Sequence, residues 1–198
     1  MKKSLTVGCV IMASGLSRRF GANKLLADFC GQPMLCRAFA ATATPGIAAR
    51  IVVTRSEDVQ ALCRTQGVPV LLHSLPGRND TVRLGLSALL EQLPELSGCM
   101  FLPGDQPLLR RESVGMLVDF YREHPEHIAA LGHDGVRGNP CLFPARLFPE
   151  LLALQGDHGG NQVIRRHEED LLLWEVPALE LTDVDTPQVL AQLRRDMA

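Results

Sequence analysis

Residues 5–24, "LTVGCVIMASGLSRRFGANK", join an apolar run directly to a basic loop. The first eight residues are too few for a buried helix and rich in β-branched side chains, which is typical of a central strand in a parallel sheet. The loop that follows holds Gly15, Gly21, two adjacent arginines and Lys24. Ligands of such sheets bind beyond the carboxyl ends of the strands, so we predict that this junction forms part of a binding site.

The rest of the chain alternates between strand-like and helix-like segments. Further strands are predicted at residues 50–54, 68–73, 98–104, 127–131 and 171–176, and helices at 33–44, 57–66, 81–93, 112–124, 145–155, 161–170 and from Pro187 onward. Between residues 131 and 145 we predict only a Gly-rich connection. This alternation predicts an α/β fold with a mostly parallel sheet covered on both faces. With no linker or repeat, residues 1–198 are expected to form a single domain.

Charge and hydropathy restrict the classes of partner. Twenty Lys and Arg residues against 22 Asp and Glu residues give a formal net charge of −2, so neither nucleic acid nor an anionic membrane is an expected partner. No apolar stretch approaches the ~20 residues of a membrane span. The "MKK" start runs straight into the first strand rather than into a cleavable signal. Six dispersed cysteines, of which Cys9 and Cys99 lie in strand-like runs, predict reduced, mostly buried thiols and a cytoplasmic protein.

The first loop matches neither of the standard phosphate-binding patterns. Five residues separate Gly15 from Gly21, which excludes the dinucleotide fingerprint, and two residues separate Gly21 from Lys24, which excludes the P-loop. What remains can still cradle an anion, because Gly15 admits close backbone approach while Arg18, Arg19 and Lys24 supply charge. Taken alone, the loop fits an anion cradle and a solvated basic loop equally well.

Two later loops carry aspartates directly after predicted strands or near the last helix. In "LPGDQPL" (residues 102–108), Asp105 either caps the next helix or binds a hard cation. In "LTDVDTPQVL" (residues 181–190), Asp183, Asp185 and Thr186 are all candidates for capping the last helix. Together the three loops offer cations for a triphosphate and carboxylates for Mg²⁺.

At these residues the sequence resembles the molybdenum cofactor cytidylyltransferase family, which are nucleotidyltransferases of molybdenum cofactor maturation. The motif "ASGLSRRFGANK" is followed in order by "GRNDTVRLGL", "GDQP", "GNPCLF", "GDHG" and "DVDTP", so the similarity extends over nearly the whole chain. The resemblance implies a three-layer α/β/α sandwich of the nucleotide-diphospho-sugar transferase type, Rossmann-like, with a mostly parallel, mixed sheet. It also implies the reaction: the terminal phosphate of molybdopterin attacks the α-phosphorus of a nucleoside triphosphate and releases pyrophosphate.

The resemblance also implies roles for individual residues. Arg19, Lys24 and Asp105 are the implied catalytic residues, Arg19 and Lys24 neutralising the β- and γ-phosphates. Mg²⁺ is the implied cofactor, with Asp105 as first ligand, Asp185 as preferred second ligand and Asp183 as the fallback. The nucleotide-binding set comprises Ala13, Ser14, Gly15, Arg19, Lys24, Gly77 and Thr81, the last two near the base and ribose.

Substrate choice is indicated by the turn after the first strand. Cytidylyltransferases of this family carry Ala at its second position and guanylyltransferases carry Gly, so Ser14 matches neither, but the absence of a second glycine favours CTP. Asn139 stands where the cytidine branch commonly has His, and Asn161 where relatives often have Arg, both on the implied acceptor side. The implied partners are the triphosphate, a molybdopterin-type acceptor and, transiently, a molybdenum hydroxylase.

Three alternative functions stay open at this point. The same scaffold can use GTP, or take a sugar phosphate or methylerythritol phosphate as acceptor. A non-catalytic protein that binds and delivers a finished cofactor to a hydroxylase is another possibility, although Lys24 and Asp105 argue for catalysis. An NAD-binding oxidoreductase is disfavoured by the missing fingerprint glycines.

Overall fold

The computed structural model describes residues 5–156 and 159–197. The strands are β1 (Thr6–Ala13), β2 (Asp28–Phe29), β3 (Gln32–Pro33), β4 (Ala49–Thr54), β5 (Val70–Leu72), β6 (Leu96–Pro103), β7 (Ile128–His133), β8 (Val136–Pro144) and β9 (Leu171–Glu175). The helices are α1 (Leu35–Ala41), α2 (Glu57–Thr65), α3 (Arg78–Gln92), α4 (Arg111–Glu123), α5 (Phe148–Leu152), α6 (Asn161–Arg166) and α7 (Pro187–Asp196). Short 3₁₀ turns occupy Lys24–Leu26, Ala145–Leu147, Glu168–Asp170 and Ala178–Leu181.

Seven strands form one sheet in the order β5-β4-β1-β6-β8-β7-β9, and β2 and β3 form a separate small hairpin. The first strand lies at the centre, as its apolar sequence predicts: Ile11 pairs in register with Val52 on β4 and with Leu102 on β6. Six of the seven strands run in one direction and β8 runs against them. The predicted α/β class with a mostly parallel, mixed sheet is confirmed.

The prediction of a mere Gly-rich connection between residues 131 and 145 is wrong, because β8 occupies most of it. Cys141 pairs antiparallel with Phe101 of β6, and the other edge of β8 pairs with β7. The polar first half of β8 and its proline conceal the strand pattern. One signal was available: Asp134 and Gly135, with φ of 51° and 73°, form the Asp-Gly turn that joins two strands in a hairpin.

Helices cover both faces of the sheet, which gives the predicted three layers. Buried side chains of α1, α2, α4 and α7 pack on one face, and those of α3, α5 and α6 pack on the other. Side chains alternate along β1, so that Cys9 and Ile11 belong to the first layer and Val10 to the second. Cys9 and Cys99 are fully buried, as predicted, and burial raises the pKa of Cys9 to about 12.

Close packing of α3 on the sheet depends on Gly85. A Cβ atom at this position would lie 2.5 Å from Cγ1 of Val10 and 3.1 Å from Cγ2 of Val53. We therefore expect Gly85→Ala to lower the free energy of unfolding by about 1–3 kcal/mol, since the helix must move off the sheet. Urea unfolding curves of the wild type and the variant measure the change in the free energy of unfolding. Gly115→Ala on α4 is the control, because its Cβ would meet only Thr44 Oγ1, at 3.3 Å; an equal loss there would contradict the packing argument.

Within residues 5–156 and 159–197, no helix combines the length and the hydropathy needed to cross a membrane.

Candidate active site

Three loops meet at the carboxyl edge of the sheet, where the sequence predicts a site. The N–H of Gly104, just after β6, donates to the Met12 carbonyl near the end of β1 at 3.0 Å. The N–H of Val184 donates to the Asp105 carbonyl at 2.9 Å, which joins the loop before α7 to the loop after β6. The buried Gln106 amide adds a hydrogen bond to the Leu181 carbonyl at 3.2 Å. These bonds hold the two aspartate-bearing loops to each other and to the end of β1.

Lys24 lies at the centre of this edge. Its ammonium donates to the Asp105 carboxylate and, at 2.9 Å, to Asp185 Oδ1, and its side chain is only 11% exposed. Burial alone would lower the pKa of Lys24, but the two carboxylates outweigh it and raise the pKa above its usual value. Local structure orients the residue: Ser17 Oγ accepts the Lys24 N–H at 3.2 Å, and Asn23 caps the 3₁₀ turn that begins at Lys24.

Arg19 completes a group of four charges. Its guanidinium donates to Asp185 Oδ2 at 2.7 Å, while 70% of its side chain is exposed. The hydrogen bond from Lys24, reinforced by Arg19, holds the pKa of Asp185 below its usual range. The structure thus brings together Arg19, Lys24, Asp105 and Asp185, all of which the family resemblance implicates.

Thr186 rather than Asp185 caps α7, and Asp105 does not cap α4. Thr186 caps α7, because its Oγ1 accepts the Val189 N–H at 3.3 Å. Helix α4 begins only at Arg111, so Asp105 caps no helix. Both Asp105 and Asp185 are therefore available for cations, as their contacts with Lys24 show.

The two aspartates fit the requirements of a magnesium site that is shared with substrate. Within the described parts of the chain, no three or more His, Cys, Asp or Glu side chains form a group that could hold a metal unaided. Asp105 and Asp185, however, place carboxylate oxygens around one cation, the Lys24 ammonium. Mg²⁺ commonly takes one or two carboxylates and completes its coordination with water and phosphate oxygens. The donor set is compatible with that arrangement.

Asp183 keeps contact with solvent but lies close to the other carboxylates. Desolvation by the surrounding loops, followed by repulsion from Asp105, raises the pKa of Asp183 to about 6. The folded protein thus holds this proton more tightly than the unfolded chain, in which an aspartate has a pKa of about 3.9. The stability that Asp183 contributes is present at low pH and lost as the pH rises through about 6.

We therefore expect Asp183→Asn to be more stable than the wild type at pH 7.5 and equal to it near pH 4. Solvent screening keeps the difference small. Melting temperatures of both proteins from pH 4 to pH 8 measure it. A difference that is constant across this range would contradict the raised pKa of Asp183, because a difference caused by titration of this group must change with pH.

Ser14 is fixed by contacts on the other side of the first loop. Its hydroxyl donates to the Val53 carbonyl at 3.1 Å and lies 2.9 Å from Nε2 of His73. The Ser14 carbonyl accepts from Arg55 Nε at 3.0 Å and Nη2 at 2.7 Å, and Arg55 also donates to the Pro76 carbonyl at 3.2 Å. Desolvation, then the Arg55 charge, lowers the pKa of His73, so its imidazole is neutral at physiological pH.

Arg55 and His73 were missed by the sequence analysis. Both directly follow strands, β4 and β5, which end at the same edge of the sheet as β1. Ligands of parallel sheets bind beyond the carboxyl ends of the strands, and this rule applies to Arg55 and His73 as it does to Asp105. No recognisable motif surrounds either residue, so the sequence pattern did not indicate them.

Gly77 and Thr81 belong to the first turns of α3. Gly77 is the N-cap residue, and its N–H donates to the Asp80 carboxylate at 2.9 Å. It lines a cleft of about 540 Å³ together with Pro76, Asn79, Asp80, Arg83, Leu154, Gln155 and Gly156. Thr81 is only 3% exposed, and its hydroxyl has no partner among the described residues. The structure gives neither residue a contact with the charges around Lys24.

The acceptor-side positions are partly described. Asn161 Oδ1 accepts from Arg137 Nη2 at 2.8 Å, and Asn139 precedes a cis peptide bond to Pro140. Asp157 and His158, the centre of the "GDHG" motif, lie outside the described residues.

The family model for the MobA-like NTP transferase domain matches residues 9–171. The chain is 26% identical to the purine catabolism protein PucB of Bacillus subtilis, over the full length of both. It is 33% identical over 113 residues to a 3-deoxy-manno-octulosonate cytidylyltransferase of Neisseria gonorrhoeae. That match covers 57% of this chain and 44% of the relative, so the chain spans less than half the length of the cytidylyltransferase.

Solved structures show the same fold at low sequence identity. A CMP:2-keto-3-deoxy-manno-octonic acid synthetase complexed with CTP superposes with a TM-score of 0.76 at 19% identity, covering 97% of this chain and 98% of that one. The Rv0371c protein of Mycobacterium tuberculosis H37Rv complexed with manganese gives a TM-score of 0.75 at 20% identity, covering 96% and 98%.

Proposed function

The chain belongs to the family of MobA-like NTP transferase domains, and we propose that it transfers CMP from CTP to the terminal phosphate of a molybdopterin-type acceptor. Pyrophosphate is the second product. One observation carries this proposal: Lys24 is held between Asp105 and Asp185 at the carboxyl edge of the sheet, with Arg19 beside them. These are the charges that a triphosphate and its metal require, placed where ligands of such sheets bind.

Charge compensation accounts for the chemistry. A phosphate monoester is ionised at neutral pH and needs no protein base, so catalysis reduces to positioning the acceptor and stabilising charge. In the proposed reaction Lys24 and Arg19 turn from the carboxylates to the β- and γ-phosphates and stabilise the departing pyrophosphate. Asp105 and Asp185, released from Lys24, would hold Mg²⁺, which would supply further neutralisation of the phosphate oxygens.

Backbone groups of Ala13, Ser14 and Gly15 are proposed to hold the nucleotide. Ser14 is kept in place by Val53, His73 and Arg55, so its hydroxyl positions the turn rather than reading the base. We keep Gly77 and Thr81 as proposed neighbours of the base and ribose. CTP is the proposed triphosphate because position 14 lacks the glycine that guanylyltransferases of the family carry. Two relatives support this choice by their names, a cytidylyltransferase and a synthetase complexed with CTP.

The acceptor is proposed from the family resemblance. A molybdopterin-type acceptor fits the family, and a molybdenum hydroxylase is the proposed recipient of the product. A second candidate acceptor is a sugar acid such as 3-deoxy-manno-octulosonate, favoured by the 33% identity to an enzyme that bears its name. Both candidates use the same nucleotide half of the site.

Pyrophosphate release tests the proposal. The purified protein is incubated with Mg²⁺ and each of CTP, GTP, ATP and UTP, with molybdopterin, with 3-deoxy-manno-octulosonate and without acceptor. We expect release that requires molybdopterin and is fastest with CTP. Release that occurs with 3-deoxy-manno-octulosonate but not with molybdopterin would favour the sugar acid as the acceptor. Binding of CTP without release under any condition would indicate a delivery protein instead of an enzyme.

A further inference from the structure

Arg137 lies near the start of β8, at the same edge of the sheet as the proposed active site. Because β8 runs antiparallel to β6, with Cys141 opposite Phe101, its first residues lie level with the end of β6 and the turn that carries Asp105. A Cβ atom on Gly138 would lie 2.8 Å from Cδ1 of Leu181, so this part of β8 packs directly against the loop before α7. The start of β8 thus borders both aspartate-bearing loops.

The guanidinium of Arg137 has only neutral partners among the described residues. Nη2 donates to Asn161 Oδ1 at 2.8 Å, and Nη1 contacts Sγ of Cys141 at 3.3 Å. Burial raises the pKa of Cys141, which keeps the thiol neutral. Within residues 5–156 and 159–197 no carboxylate pairs with Arg137, whereas Arg19, Arg83 and Arg110 each have one. Its positive charge is therefore not compensated by that part of the protein.

The buried side chain of Asn79 carries an amide donor without a partner among the described residues. Asn79 is only 2% exposed, and its Oδ1 accepts the Gly159 N–H at 2.6 Å. Its Nδ2 has no partner among the described residues, although a buried donor without an acceptor costs free energy. Gly159 and Asn161 are two residues apart, so Asn79 and Arg137 both hydrogen-bond to the same short segment. Asn79 also lines the cleft at the start of α3.

We propose that Arg137, assisted by the Asn79 amide, binds the phosphate group of the acceptor. This inference rests on the proposed function, because a phosphate acceptor is what that reaction requires. A guanidinium presents parallel N–H groups that match two phosphate oxygens, and Asn79 adds a neutral donor. The acceptor phosphate and the triphosphate repel each other, and Arg137 offsets this repulsion while Lys24 and Arg19 serve the triphosphate. Arg137 is thereby assigned to binding and positioning the acceptor.

Inorganic phosphate is the probe for this site. It is titrated by calorimetry into the protein saturated with Mg²⁺ and the α,β-methylene analogue of CTP, which cannot react. The variants are Arg137→Gln, Arg137→Lys and Asn79→Asp; the last keeps an oxygen for Gly159 but removes the donor. Arg146→Gln is the matched control, because Arg146 pairs with Asp170 beyond the opposite end of β8. The KM values for acceptor and CTP are measured on the same proteins.

We expect Arg137→Gln and Asn79→Asp to weaken phosphate binding by about tenfold or more, because each removes a donor to a charged group and the second also adds a carboxylate that repels phosphate. The KM for acceptor should rise in parallel while the KM for CTP stays unchanged, and Arg137→Lys should retain part of the affinity. Arg146→Gln should match the wild type. Wild-type phosphate affinity in Arg137→Gln, or an equal rise in both KM values, would overturn the inference. If the wild type turns over no acceptor, the phosphate titration still decides for or against this anion site.

Discussion

Asp105→Asn is expected to lower kcat by about two to three orders of magnitude, the size of effect seen when a charge-stabilising group is removed from an active site. Asparagine keeps the shape of the side chain and an oxygen for Lys24, but it loses the charge that the proposed metal site needs. The fold should be unaffected, because Asp105 caps no helix and its backbone carbonyl still accepts from Val184.

Rates of pyrophosphate release at saturating CTP and acceptor measure this effect, with melting temperature as the check on folding. Asp119→Asn is the control, since Asp119 lies on the surface of α4 and pairs with Arg122. It should have the wild-type rate. A rate for Asp105→Asn within a few fold of the wild type would remove Asp105 from the proposed metal site.

Lys24→Met is expected to have two effects of opposite kind. Turnover should fall by about a hundredfold or more, because the ammonium can no longer stabilise the leaving pyrophosphate. Affinity for Mn²⁺ in the absence of nucleotide should rise, on the order of tenfold, because a competing cation no longer occupies the position between Asp105 and Asp185. Methionine fills a similar volume, so packing around this buried side chain is preserved.

Paramagnetic resonance of free Mn²⁺ measures the second effect independently of catalysis. Lys24→Arg is the matched variant, because it keeps the positive charge and should bind Mn²⁺ as weakly as the wild type. Equal Mn²⁺ affinity in the Met and Arg variants would show that Lys24 does not compete with the metal. A wild-type rate in Lys24→Met would exclude its catalytic role.

The sequence was sufficient to predict the layers of the fold and the loops of the site. Short apolar runs identify β1 and β6, and loops that follow parallel strands must converge at one edge. Lys24 and Asp105 lie in such loops, so this rule indicates them as site residues. The sequence pattern does not indicate β8, because a strand that is polar in one half and apolar in the other matches neither periodic pattern.

Other features of the site depend on contacts between distant residues. The local sequence does not decide whether Asp185 or Thr186 caps α7, because aspartate and threonine are both good N-cap residues. In the structure Thr186 caps the helix, and Asp185 accepts from Lys24, which lies 161 positions earlier in the chain. Arg55 and His73 can be assigned to the site only from their contacts with Ser14, which the sequence does not show. The catalytic and binding roles of all these residues stay predictions until the variants are measured.

The long sequence separation between Lys24 and Asp185 also bears on how the protein becomes active. A site whose parts lie at opposite ends of the chain has a high contact order, and the entropy of closing so long a loop must be offset by the folded sheet between them. A chain emerging from the ribosome presents its basic loop and Asp105 long before Asp185 is synthesised. The four-charge group needs both segments, so a chain that ends before Asp185 cannot assemble it.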